Sequence, residues 1–147
     1  MIKIIVVEDS EVVRTGIIGL LNYEPDMEVV ASAENGFQAI ELLEQGIVAD
    51  IILADLNMPK MDGIVLTEHI TAAFPKAIVV IFTMHIRSEF VDKALNAGAR
   101  GYLLKDGDFA DIMEGIRKVV QGEIYVSKNV QRFSRLETVP SAFNKAV

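Results

Sequence analysis

The sequence has no cysteine, which excludes disulfides and thiolate metal sites. It has no long apolar run either. Stretches such as Ile4–Val7 and Ile78–Phe82 fall far short of a bilayer span. Internal repeats, low-complexity tracts and Gly-rich phosphate loops are missing too. The N-terminus carries one early lysine and then runs into Glu8-Asp9, an acidic end that is wrong for a secretion signal. Positive charge is in deficit, with 14 Lys and Arg against 21 Asp and Glu. The resulting net charge of −7 argues against direct nucleic-acid binding by this chain. These absences point to the cytoplasm. A length of 147 residues points to one domain with a core that needs no staples.

What is present is apolar character in short runs, with a mean hydropathy of +0.34. Such runs suit strands buried on both faces. Strands are expected at Ile2–Val7, Glu28–Ala33, Asp50–Ala54, Ala77–Phe82 and Gly101–Leu104. Helices are expected at Glu11–Tyr23, Phe37–Glu44, Ile64–Phe74, Ser88–Ala97 and Phe109–Gln121, each with apolar residues at helical spacing. Gly46, Gly98 and Gly122 stand where helix stops belong. Alternating strands and helices imply parallel strands joined by right-handed crossovers. The fold class is therefore α/β, a doubly wound five-stranded parallel sheet with helices on both faces. Beyond Gly122 the patterning weakens. Tyr125-Val126 reads as briefly extended, Lys128, Arg132 and Arg135 as a short helix or linker, and the stretch from Pro140 as a frayed end.

In a doubly wound sheet, ligands bind beyond the carboxyl ends of the strands. The first strand brings Glu8 and Asp9 to that edge, the third Asp55, the fourth Thr83 and the fifth Lys105. The second brings only Glu34 and Asn35. Three carboxylates within reach of one another repel by about 4 kcal/mol per close pair at an effective dielectric near 20. One lysine cannot offset that, whereas a divalent cation can. With oxygen ligands alone on offer, Mg²⁺ is the natural ion. The Thr83 hydroxyl and the Lys105 ammonium suit phosphoryl oxygens. A carboxylate can attack phosphorus, so Asp55 is placed to receive a phosphoryl group.

Each residue also has an ordinary reading. Asp55 fits a turn, and Asp9 or Ser10 fits a helix cap. Thr83 fits a strand, Tyr102 fits a half-buried strand position, and Lys105 fits a solvated loop. His69 and His85 lack metal-pair spacing and read as surface residues, with His85 placed to tune dephosphorylation from the rim. Convergence of the others on one edge, in order, outweighs these readings.

The stretch "ILADLNMPKMDG" (Ile52–Gly63), taken with Glu8-Asp9, Thr83 and Lys105 at successive strand ends, is similar to the receiver domain of two-component response regulators. This CheY-like resemblance covers residues 1–122. "TMH" at Thr83–His85 and "GARGYLLKD" at Gly98–Asp106 resemble the NarL/FixJ (LuxR-type) branch. The resemblance implies a flavodoxin-like (βα)5 fold with strand order 2-1-3-4-5. It implies Asp55 as phosphoacceptor and Mg²⁺ held by Glu8, Asp9, Asp55 and the backbone carbonyl of Asn57. Thr83 and Lys105 would contact the phosphoryl group. Tyr102 would turn inward with Thr83 on activation, and Pro59 and Gly63 would shape the turn after the acceptor. A sensor histidine kinase would be the phosphodonor. The surface of the fourth helix, fifth strand and fifth helix would then switch, with a homodimer as one outcome. Catalysis would extend no further than the protein's own phosphorylation and dephosphorylation.

Two residues depart from the wider family. Asp106 follows Lys105 where many receivers have a cis proline, so a trans bond is expected. Met84 is larger than usual and would restrict access to the acyl phosphate. Branch members usually precede a helix-turn-helix DNA-binding domain. Residues 123–147 are too few for one and are expected to be a C-terminal extension or the start of an interdomain linker. DNA contact would then belong to the output domain, and a free-standing receiver acting by protein contact is the alternative.

Two other functions compete. A Mg²⁺-dependent phosphohydrolase of the haloacid dehalogenase type would place a second aspartate two residues after the first. Asn57 stands there and cannot act as a general acid. A phosphate-independent interaction module would be favoured by an incomplete acidic cluster, and this cluster is complete.

Overall fold

The computed structural model describes residues 1–133. The elements are β1 (Ile2–Val7), α1 (Glu11–Tyr23), β2 (Met27–Ala33), α2 (Gly36–Glu44), β3 (Ile51–Ala54), α3 (Gly63–Ala73), β4 (Ile78–Thr83), α4 (Ser88–Ala97), β5 (Gly101–Leu104), α5 (Phe109–Val120), β6 (Tyr125–Val126) and α6 (Lys128–Phe133). The ten elements expected from patterning all form, with ends within a residue of the expected ones.

The sheet is parallel throughout, in the order β2-β1-β3-β4-β5-β6. The first five strands have the expected order 2-1-3-4-5, and Tyr125-Val126, expected to be briefly extended, adds a sixth beside β5. A two-residue strand is too short to show alternation, so its pairing had no periodic signal. Tertiary bonds fix it instead: the Tyr125 N–H donates to the Arg100 carbonyl at 3.0 Å and the Ser127 N–H to the Tyr102 carbonyl at 2.8 Å. Regular packing thus runs past Gly122. Lys128 and Arg132 fall on α6, while Arg135 and the stretch from Pro140 lie outside the described residues.

Successive strand residues point to opposite faces, which splits the core into two layers. Ile5, Val7, Ile52, Ala54, Ile81 and Leu104 pack with α2, α3 and α4 on one face. Ile4, Val6, Ile51, Leu53, Val80 and Leu103 pack with α1 and α5 on the other. Both faces of β1 and β3 are buried. Each fully buried aliphatic side chain contributes about 1.5–3 kcal/mol. The strands that deliver the acidic residues are therefore firmly held in the core.

Caps set where the helices begin. The Ser10 hydroxyl accepts the Val13 N–H at 3.3 Å, and the Asp62 carboxylate accepts the Val65 N–H at 2.9 Å. Between β3 and α3 the chain turns so tightly that a Cβ on Gly63 would lie 2.4 Å from the Asp55 carbonyl oxygen. Only glycine fits there. Every peptide bond among the described residues is trans, including Lys105–Asp106. No described helix is long and apolar enough to cross a membrane.

Candidate functional site

Neighbouring strands in register bring the acidic residues together. The Glu8 N–H donates to Ala33 O at 3.0 Å, extending β1, and the Asp55 N–H donates to Val7 O at 3.1 Å, extending β3. Both side chains are buried, Glu8 at 2% exposure and Asp55 at 7%. Asp9 is exposed at the rim. One carboxylate oxygen from each of Glu8, Asp9 and Asp55 lies within 4.8 Å of the others.

Lys105 arrives from β5, its N–H bonded to the Thr83 carbonyl at 2.8 Å. Its Nζ donates to Asp55 Oδ2 at 3.0 Å and lies 2.5 Å from Glu8 Oε1. Burial alone would lower the lysine pKa, but bonds to Glu8 and Asp55 outweigh it and raise the value above its usual one. Glu8 is shifted up as well. Burial is the main cause and the nearby Asp55 charge adds to it, against the pull of Lys105 and the Ser10 N–H.

The two Glu8 oxygens differ. Oε2 accepts the Ser10 N–H at 3.0 Å. Oε1 is engaged by the Lys105 ammonium as an ion pair. Three carboxylates thus gather beside one ammonium. An oxygen-only donor set of this kind fits a hard divalent cation such as Mg²⁺.

Thr83 is buried at the tip of β4, and its hydroxyl accepts the His85 N–H at 3.3 Å. Asn57 sits exposed just beyond Asp55, with its N–H 3.4 Å from Asp55 Oδ1. Its side-chain amide meets the His85 ring. Tyr102 is fully buried, and its hydroxyl donates to the His85 carbonyl at 2.9 Å. Burial pushes the phenol pKa up, so the group stays a neutral donor. Met84, next to Thr83, is exposed.

Two residues do more at the site than the sequence indicates. His85 reads as a surface residue, yet it links Asn57, Thr83 and Tyr102 and packs its ring against Phe90 at 4.6 Å between centroids. Arg14 belongs to the periodic pattern of α1, yet its Nη1 donates to the Glu8 carbonyl at 2.7 Å. Neither contact follows from residue spacing, because each depends on how a loop or a long side chain folds back.

A family model for the response regulator receiver domain matches residues 4–117. Over 126 residues the chain is 40% identical to the oxygen regulatory protein NreC of Staphylococcus epidermidis, an alignment covering 84% of this chain and 57% of that protein. Over 129 residues it is 36% identical to the transcriptional regulatory protein DegU of Brevibacillus brevis, covering 88% of this chain and 54% of that one. The chain thus spans about half the length of these curated relatives. Its fold matches the crystal structure of a LuxR-family two-component response regulator from Aurantimonas sp. SI85-9A1. The TM-score is 0.87 at 34% identity, covering 93% of this chain and 97% of that one.

Proposed function

This chain belongs to the response regulator receiver family, in its NreC- and DegU-like branch, and from that premise we propose that Asp55 is the phosphoacceptor of a Mg²⁺-dependent switch. The supporting observation is the Lys105 ammonium lodged between Glu8 and Asp55 where the Glu8, Asp9 and Asp55 carboxylates converge. Glu8, Asp9, Asp55 and the Asn57 backbone carbonyl would hold the ion. When bound, Mg²⁺ supplies charge neutralisation for the incoming phosphoryl oxygens.

An Asp55 carboxylate oxygen attacks the phosphorus of a phosphohistidine on a sensor histidine kinase. The O–P bond forms as the P–N bond breaks, and its electron pair returns to the imidazole, which takes up a proton. Lys105 then pairs with a phosphoryl oxygen in place of its present partners. The Thr83 hydroxyl accepts from His85, which leaves its own proton to donate to the phosphoryl group. Tyr102 is inward here and anchored on His85, so any movement of the loop after Thr83 moves the Tyr102 anchor as well.

The output belongs to the same proposal. Residues 1–122 form the receiver unit, and residues 123–147 begin the connection to an output domain of the helix-turn-helix type that binds DNA. Pairing of β6 with β5 gives that connection a hold on the strand bearing Tyr102 and leading to Lys105. Homodimerisation through the switched surface is one route to control. The protein would work in the cytoplasm and catalyse nothing beyond its own phosphorylation and dephosphorylation. The name of the DegU relative supports transcriptional output. A phosphohydrolase reading gains nothing from the geometry, since Asn57 provides no acid.

The test is labelling by acetyl phosphate. The wild type with Mg²⁺ gains one phosphoryl group; EDTA abolishes the gain, and so does Asp55→Asn. Undiminished labelling of Asp55→Asn would overturn the assignment.

A further inference from the structure

We propose that Arg14 is a positioning residue for the cation site, its guanidinium clasping the Glu8–Ser10 turn so that the Glu8 and Asp9 carboxylates are aimed before an ion arrives. The inference rests on the reading of this edge as a Mg²⁺ site.

Glu8 is held from several directions. Its N–H is tied to Ala33 on β2, and its Oε2 is tied to the Ser10 N–H. Its carbonyl is taken by Arg14 Nη1 at 2.7 Å, a short charge-assisted bond. Arg14 reaches back to it from the first turns of α1, where its own N–H is bonded to the Ser10 carbonyl at 2.8 Å. Asp9 therefore lies between two anchored residues. The side chain of Arg14 is 15% exposed, and its Nη2 is 4.0 Å from the Glu34 carboxylate. Glu34 is held in turn by Gln38, which accepts the Glu34 N–H at 2.9 Å and donates to its carboxylate at 3.3 Å. One guanidinium thus joins the turn after β1 to the turn after β2. A fork-shaped donor can serve two such partners, whereas an ammonium is a single point charge.

Three roles for Arg14 predict different signs for one measurement. A cation close to a cation site should weaken Mg²⁺ binding by repulsion, so if charge alone mattered, removing Arg14 would tighten it. If the residue served stability alone, the fold would weaken and Mg²⁺ affinity would stay the same. If Arg14 positions the turn, Mg²⁺ affinity falls although a positive charge has been removed. Supporting groups behind metal ligands are typically worth roughly 10–100-fold in affinity.

The experiment is calorimetric titration of Mg²⁺ into wild type, Arg14→Ala and Arg14→Lys, with thermal melts in EDTA reporting the metal-free fold. Arg14→Ala is expected to bind Mg²⁺ roughly tenfold more weakly, and Arg14→Lys to fall between it and the wild type. Labelling by acetyl phosphate should need correspondingly more Mg²⁺ and recover near saturation. Unchanged or tighter binding by folded Arg14→Ala overturns the inference. Should that variant not fold, Arg14→Lys decides alone: weaker binding supports the clasp, and wild-type affinity overturns it. A wild type that binds no Mg²⁺ overturns the reading of the site, and the Arg14 inference with it.

Discussion

Asp111 on α5 is buried as deeply as the acidic pair at the carboxyl edge, at 6% exposure against 2% for Glu8 and 7% for Asp55. Its surroundings differ. The Tyr125 hydroxyl donates to one Asp111 oxygen. The other accepts the Ser127 hydroxyl at 2.6 Å and the Lys128 N–H at 3.3 Å. All three donors are uncharged, and both oxygens are satisfied. At the carboxyl edge the buried Glu8 and Asp55 share the Lys105 ammonium, and the Asp9 carboxylate lies close by at the rim. A buried carboxylate with its full set of donors acts as a structural anchor, here for β6 and the start of α6. Three carboxylates gathered around one ammonium leave an excess of negative charge, a donor set suited to a cation.

The largest difference should be in phosphorylation. Asp55→Asn removes all labelling by acetyl phosphate, while Tyr125→Phe and Ser127→Ala at the other cluster keep it. Intact-mass spectrometry reads both. Loss of labelling in Ser127→Ala at full stability would break the division of roles.

Stability in the absence of metal should invert that order. Asp111→Ala leaves two buried hydroxyls and an N–H without their acceptor and costs about 2–4 kcal/mol. Asp55→Asn loses an ion pair with Lys105 but also a repulsion with Glu8. Each is about 4 kcal/mol at close range and an effective dielectric near 20, so they nearly cancel. Urea melts in EDTA would then place Asp55→Asn close to the wild type and Asp111→Ala far below it. Equal destabilisation of the two would contradict the comparison.

A pH effect follows from Glu8. Burial raises its folded pKa above the ordinary value of 4.5, so the folded protein holds a proton that the unfolded chain has already released. Metal-free stability therefore falls as pH rises from 4.5 through the raised value, and then levels. Mg²⁺ needs the ionised carboxylate, so its affinity climbs over the same window. Thermal melts against pH, with EDTA or Mg²⁺, would show the two opposing trends, and Glu8→Gln should flatten both. An unaltered slope in that variant would assign the effect to another group.

The smallest effect belongs to a half-buried cluster nearer the surface. Arg117 grips Asp26 at 2.8 and 2.9 Å and Glu24 at 2.6 Å, tying α5 to the turn before β2. Asp26 is held below its usual carboxylate range, chiefly by that bond. With 45% of its side chain exposed, solvent screens much of the gain. Arg117→Ala should cost less than about 1 kcal/mol, and the cost should shrink in high salt. A cost as large as that of Asp111→Ala would show the surface pairs to be underrated.

The fold was legible because β1 and β3 are apolar on both faces, which leaves few alternatives to a parallel sheet covered by helices. The meeting of Glu8, Asp9, Asp55, Thr83 and Lys105 was legible because strand order brings successive carboxyl ends to one edge. For β6 only the extension of Tyr125-Val126 was legible, not its place in the sheet, since two residues carry no period and the segment is anchored by Asp111, fourteen residues upstream of Tyr125. Arg14 was hidden because a long side chain folding back to a carbonyl leaves no pattern in the sequence. Tyr102 was expected to turn inward on activation and is already inward here. The His85 carbonyl that holds it belongs to a loop whose path no spacing predicts.

The most direct measurement is a Mg²⁺ titration of the isotope-labelled protein followed by backbone amide NMR. One saturable set of shifts is expected, centred on Glu8, Asp9, Asp55, Asn57 and Lys105, with Asp111 and Ser127 unmoved. A titration without saturation, or one that moves the α5–β6 cluster as much as the carboxyl edge, would contradict the Mg²⁺ site.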